Sequence, residues 1–184
     1  MRNVVVRQWA VVGCLIGALS VSTSATADAA ADAFANIFAH TCLLHVANLD
    51  ELRNKLKDVT ELPPEKAKYF LHGMEGRAWP VPDRRGVFVV SIAKDTHMCS
   101  VFARRLDAKA AQEQFVRLVG RSPAPWVSNV VKDESRQDSK NGLMKTLGYE
   151  WTAPQAVIKT VYMLTTASAD SANMQGLATA NLSK

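Results

Sequence analysis

Apolar residues recur at helical spacing over residues 29–46, where Phe34, Ile37, Phe38, Thr41 and Leu44 fall on one stripe. Cys42 lies at the edge of that stripe. His45 lies near its centre, about 20° from Phe34 on a 100° wheel, and reads as a core-edge histidine with a hydrogen-bond partner. Asn48 is placed to cap a second helix, with Glu51 three residues on as its capping-box partner. Leu49, Leu52, Leu56 and Val59 form the apolar stripe of that helix. A third, short helix is predicted to start at Pro63-Pro64-Glu65, where proline fits the first turn and glutamate suits the positive end of the helix dipole. Ala67, Phe70 and Leu71 face inward, and Gly73 stops it.

The period then changes from 3.6 to 2. Ala78-Trp79-Pro80-Val81-Pro82 reads as an edge strand, because its prolines cannot donate to a central ladder. Asp83-Arg84-Arg85-Gly86 is a turn. Residues 87–93 form a strong strand with Phe88, Val90 and Ile92 on one face. A turn at 94–97 leads into a third strand over 98–105, and Asp107 caps a helix running to about Gly120 with the stripe Ala108, Ala111, Phe115 and Leu118. Three further strands are expected at 126–132, 143–151 and 157–166. The polar stretch 133–141 reads as their first connection, ending in the hairpin signal Asn141-Gly142. Residues 168–184 are rich in Ala, Ser and Asn without a period and read as a flexible tail.

Short turns make adjacent strands antiparallel, and runs of helices followed by runs of strands argue for α+β. The expected fold is therefore an antiparallel sheet of about five to six strands. The N-terminal helices and one central helix are expected to pack on one face.

The first 27 residues change the picture. Arg2 and Arg7 flank the start of a thirteen-residue apolar run, 9–21, and Ala25-Thr26-Ala27 follows. This is the pattern of a secretory signal peptide. Thirteen residues make about 20 Å of helix against a hydrocarbon core of about 30 Å, so a membrane span is the poorer reading. The organisation is then a signal peptide over 1–27, one domain over 28–167 and a tail over 168–184. Val11-Val12-Gly13-Cys14 has the local look of a lipoprotein box and keeps lipid anchoring at Cys14 as a minor alternative. The 184 residues carry a net charge of +5, and cutting away Arg2 and Arg7 with no acid lowers it by two. Residues 77–121 hold nine Lys/Arg against four Asp/Glu, while residues 28–76 hold five against eight. That basic middle is too modest to demand a nucleic acid.

Cys42 and Cys99 remain after the leader, and an even pair in an exported protein reads as one disulfide. The rival reading keeps both thiols reduced and gathers Cys42, His45, His97 and Cys99 as a Cys2His2 set for zinc or copper, although the spacings are not those of a standard finger. Ser91-Ile92-Ala93-Lys94 matches the S-x-x-K of penicillin-recognising enzymes, but it ends a strand, where serine and lysine point to opposite faces. No catalytic constellation, cofactor motif or metal motif is assigned. The binding candidates are Trp79, Arg84, Arg85, Arg104 and Arg105, which lie in or beside the first three strands. Arginine forks recognise carboxylates and phosphates, and tryptophan is enriched at binding hot spots.

At Cys42, at Ala78-Trp79 and along Cys99-Ser100-Val101-Phe102-Ala103 the chain resembles an uncharacterised family of small exported proteobacterial proteins and lipoproteins, of neisserial type. The resemblance covers roughly residues 34–119. It implies a cell-envelope setting and a Cys42–Cys99 pair, and it brings no activity with it. The chain departs from the family pattern in its strands after residue 126. The expectation is a periplasmic or secreted protein, non-enzymatic, acting as an interaction or structural module of the envelope. Its partner would be an envelope protein or an anionic envelope polymer. The alternative is a thiol- or metal-dependent enzyme or metal-binding protein using Cys42, His45, His97 and Cys99.

Overall fold

Two periodicities in the chain build a sheet and the helices that cover it. The computed structural model describes residues 24–183. The elements run α1 (Ser24–Phe38), a π-helical turn (Ala39–Leu43), α2 (Leu49–Lys55), α3 (Pro64–Phe70), β1 (Gly76–Val81), β2 (Val87–Ala93) and β3 (Met98–Arg104). They continue through α4 (Ala108–Val119), β4 (Val127–Asp138), β5 (Gly142–Thr152), β6 (Lys159–Ala167) and β7 (Gly176–Ser183). The expected leader over 1–27, with Cys14, lies outside the described residues except for residues 24–27, which belong to α1. No helix among the described residues is long and apolar enough to cross a membrane.

The class is α+β, with one seven-stranded antiparallel sheet in the order β1-β2-β3-β7-β6-β5-β4. Helix α4 carries the chain from β3 to the far edge, and the β4–β7 meander returns to pair with β3. The strand count exceeds the five to six expected because most of the expected tail is ordered structure. Residues 176–183 are β7, between β3 and β6 in the middle of the sheet. Ala178 and Ala180 are fully buried there, because small side chains let the helices approach closely. Composition hid this strand: alanine and asparagine have low strand propensity, and packing overrides it. The polar segment 133–138 is likewise strand. It belongs to β4, an edge strand whose polar residues face solvent on a blunted edge with a bulge between Val130 and Lys132. The Asn141-Gly142 signal still marks its turn. Gly142 takes a positive φ of 72°, and Asp138 accepts from the N–H groups of Lys140 and Asn141.

One face of the sheet carries the main core. Phe34, Phe38, Leu49, Leu52 and Phe115 from α1, α2 and α4 pack on Trp79, Phe88, Val90, Ile92, Val101 and Leu164. Each large side chain buried there contributes about 1.5–3 kcal/mol before entropy is subtracted. The expectation that the helices share this face fails for α3. Ala67 and Leu71 pack on Ala78, Val89 and Phe102 from the other side. Coverage of both faces explains why β2 is buried continuously from Phe88 to Ala93 and apolar there except for Ser91, whereas β6, covered on one face, alternates. The N-caps match the sequence, with Asn48 accepting from Glu51 N and Asp107 from Ala110 N, but the reciprocal half of the capping box does not form: Asn48 N donates to His45 O and Glu51 pairs with Lys55.

Cys42 and Cys99 form a disulfide, with Cα atoms 5.2 Å apart. A π turn closes wider i→i+5 bonds and winds fewer degrees per residue than an α turn. It swings Cys42 from the edge of the helical stripe to full burial over β3. The bond ties the end of α1 to the sheet's third strand.

Candidate functional site

The β3–α4 corner begins with a residue in an unusual conformation. Arg105 has φ 63°, the left-handed region that costs a non-glycine residue about 1–2 kcal/mol. Its N–H donates to Gln175 Oε1 at 3.0 Å. Gln175 is buried, and its Nε2 donates to the carbonyls of Ala169, Asp170 and Ala172. One buried amide thus fixes both the corner and the β6–β7 loop. Asp107 then caps α4, and Lys109 stands exposed on its first turn.

The β1–β2 turn meets this corner. Asp83 accepts from Arg85 N at 2.8 Å, from Nε at 2.9 Å and from a terminal guanidinium nitrogen at 2.7 Å. The Arg85 guanidinium beside it lowers the Asp83 carboxyl from its ordinary 3.8 to about 2. A depressed carboxylate pKa means that this hook contributes its stabilisation above the ordinary value and loses it as pH falls through about 2. A carboxyl-carbon NMR titration of Asp83 is expected to show its midpoint at about 2. A midpoint near 3.8 would mean that the turn is open in solution.

Together these segments line a cleft of about 730 Å³. Arg84, Arg85, Arg105 and Lys109 stand along it, with Lys145 from β5 and Asp107, Gln112, Ser168, Asp170 and Gln175 between them. Arg85 is committed to Asp83 and Lys145 to Asp133. The side chains of Arg84, Arg105 and Lys109 have no partner among the described residues. A larger cavity of about 1070 Å³ lies between α3 and β1. There three of the four cations are paired, Arg53 with Asp50, Arg77 with Glu61 and Lys94 with Glu75, and only Lys68 is left over among the described lining residues. The cleft gathers three unpaired cations, Arg84, Arg105 and Lys109, against one in that cavity.

Of the binding candidates from the sequence, Arg84, Arg85 and Arg105 meet in the cleft. Arg104 does not line it. Trp79 is fully buried in the main core beneath α1 and α2, with Arg77 stacked 5.2 Å from its ring centre, so it is no surface contact. Lys109 and Lys145 were not singled out. Lys145 had a legible signal, since it breaks the apolar face that Leu143, Leu147, Tyr149 and Trp151 share on β5.

The Cys2His2 set does not assemble as a site. The two sulfurs are bonded to each other. His45 is buried, with Lys55 Nζ 3.3 Å from its Nε2 and Glu51 3.6 Å from its Nδ1, while His97 is exposed in the β2–β3 turn. No group of three His, Cys, Asp or Glu residues placed to hold a metal occurs among the described residues. Ser91 and Lys94 also part company. Ser91 Oγ donates to Phe70 O, and Lys94 pairs with Glu75.

Fold and cleft together define a disulfide-clasped α+β protein with a cationic cleft at one corner of its sheet. No family model matches the chain, and no curated protein or solved structure matches it either.

Proposed function

We propose that the protein is an exported, non-enzymatic interaction module of the cell envelope, and that it holds an anionic envelope polymer in the cleft at the β3–α4 corner. The observation that carries this reading is the convergence of Arg84 from the β1–β2 turn with Arg105 and Lys109 from the β3–α4 corner, without acidic partners among the described residues. Cationic walls around a concave, lower-dielectric space raise the local concentration of anions and speed their association. Guanidinium forks match the geometry of phosphate and carboxylate oxygens. The envelope setting draws support from the leader pattern, from the family resemblance and from the buried disulfide, a bond that persists in oxidising compartments.

Arg84→Glu/Arg85→Glu tests the reading. Both side chains are exposed, so the fold is expected to survive the change. Affinity for a short linear polyphosphate, used as a probe polyanion, is expected to fall at least tenfold, and wild-type binding to weaken as salt is added. Unchanged affinity would remove the cleft as the site. Retention of an envelope protein instead of the polyanion would replace the polymer with a protein partner.

A further inference from the structure

We propose that the anion this cleft takes is a phosphate ester of a polyol, with the phosphoryl group on the cations and the free hydroxyls on Asp170 and its neighbours; this rests on the reading of the cleft given above. A site built for negative charge alone gains nothing from a free carboxylate in its wall. Asp170 is such a carboxylate. It is exposed on the cleft, and its side chain has no partner among the described residues. An ionised carboxylate is an acceptor only, so the ligand group it suits is a donor such as a hydroxyl.

The neighbours extend the pattern. Ser168 Oγ accepts from Leu143 N at 2.8 Å, which leaves its own O–H to donate. Gln112 Nε2 donates to Thr166 Oγ1 at 2.7 Å, which leaves its carbonyl oxygen to accept. Polar acceptors and a donor therefore stand beside the free arginines. They are also held in place. Gln175 clamps the carbonyls of residues 169, 170 and 172, and Ala169 N donates to Asn141 O at 3.1 Å. A carboxylate carried on a tied loop needs little ordering when a ligand arrives. The cleft's volume of about 730 Å³ suits a sugar phosphate or glycerol phosphate and is far larger than a lone phosphate needs.

A free ester, a polymer and a lipid headgroup all present this chemistry, and the test separates these sources. Glycerol 3-phosphate, inorganic phosphate and glycerol are titrated into the full protein by calorimetry. Glycerol 3-phosphate is expected to bind about tenfold tighter than inorganic phosphate, and glycerol alone not to bind. Asp170→Asn is the discriminating variant, since only the backbone carbonyl of this residue is used by the fold. Loss of a like charge is expected to tighten inorganic phosphate slightly and to weaken the ester, bringing the two within about twofold. Vesicles of phosphatidylglycerol in phosphatidylcholine form the lipid arm. Retention on them, displaced by glycerol 3-phosphate, assigns the headgroup, and binding of the free ester without vesicle retention assigns a soluble or polymeric source. If Asp170→Asn tightens both probes alike, Asp170 is a repulsive surface charge and the inference is overturned while the cationic cleft stands. If neither probe binds and Arg84→Glu/Arg85→Glu leaves polyphosphate affinity unchanged, the cleft reading itself has failed.

Discussion

Replacing Cys42 and Cys99 together by alanine is expected to lower the free energy of unfolding by roughly 4 kcal/mol. The disulfide joins residues 57 apart in sequence, and the chain-entropy model assigns that magnitude to the loop it removes from the unfolded ensemble. The folded side of the balance adds to it. Both cysteines are fully buried, and their bond anchors the π turn at the end of α1 to β3 beneath the main core. A domain of this kind has a net stability of about 5–15 kcal/mol, so the loss is a large fraction of the total. Denaturant titrations of the oxidised protein, the reduced protein and the double-alanine variant measure it. The two altered forms should unfold at similar, much lower denaturant concentrations. A shift worth less than about 1 kcal/mol would show that the helices hold to the sheet without the clasp.

Ala180→Asp is expected to be at least as damaging, at about 4 kcal/mol or more. Ala180 is fully buried on the face of β7 that lies under the helices, paired with Cys99 on one side and Tyr162 on the other. A carboxylate there loses its water and finds no partner. The consequence is wider than one site, because β7 is the strand that joins β1–β3 to β4–β6. Thr179→Asp is the control. Thr179 points to the opposite, half-exposed face, and its change is expected to cost about 1 kcal/mol through strand propensity alone. Urea unfolding of the two variants separates the outcomes. Equal and small effects would mean that β7 is not part of the folded sheet in solution.

What could be read in advance divides along physical lines. Local chemistry was legible. Asn48 and Asp107 cap helices as their positions suggested, Pro80 does lie on an edge strand, and Asn141-Gly142 does turn the chain. The even pair of cysteines is bonded. Features decided by packing were not legible. Ala178 and Ala180 look like tail residues until helices are laid over them, and the apolar stripe of α3 does not say which side of a sheet it will cover. The candidate site splits in the same way. Arg84, Arg85 and Arg105 could be read from turns in a basic stretch. Lys109 joins them one helical turn past Arg105, while Lys145 and Asp170 join because the meander brings β5 and the β6–β7 loop back beside the β1–β2 turn. Trp79 misled because its composition fits a hot spot while its burial belongs to the core.

The decisive question is whether the β1–β2 turn, the β3–α4 corner and the β6–β7 loop close round one anion. Amide chemical-shift mapping with the probe polyphosphate answers it on the intact, oxidised protein. Shifts should gather at residues 84–86, 105–109 and 168–170, and the Arg84→Glu/Arg85→Glu variant should show almost none at the same concentration. Shifts spread over the surface, gathered at the cavity between α3 and β1, or unaltered in the variant would contradict the assignment of the cleft.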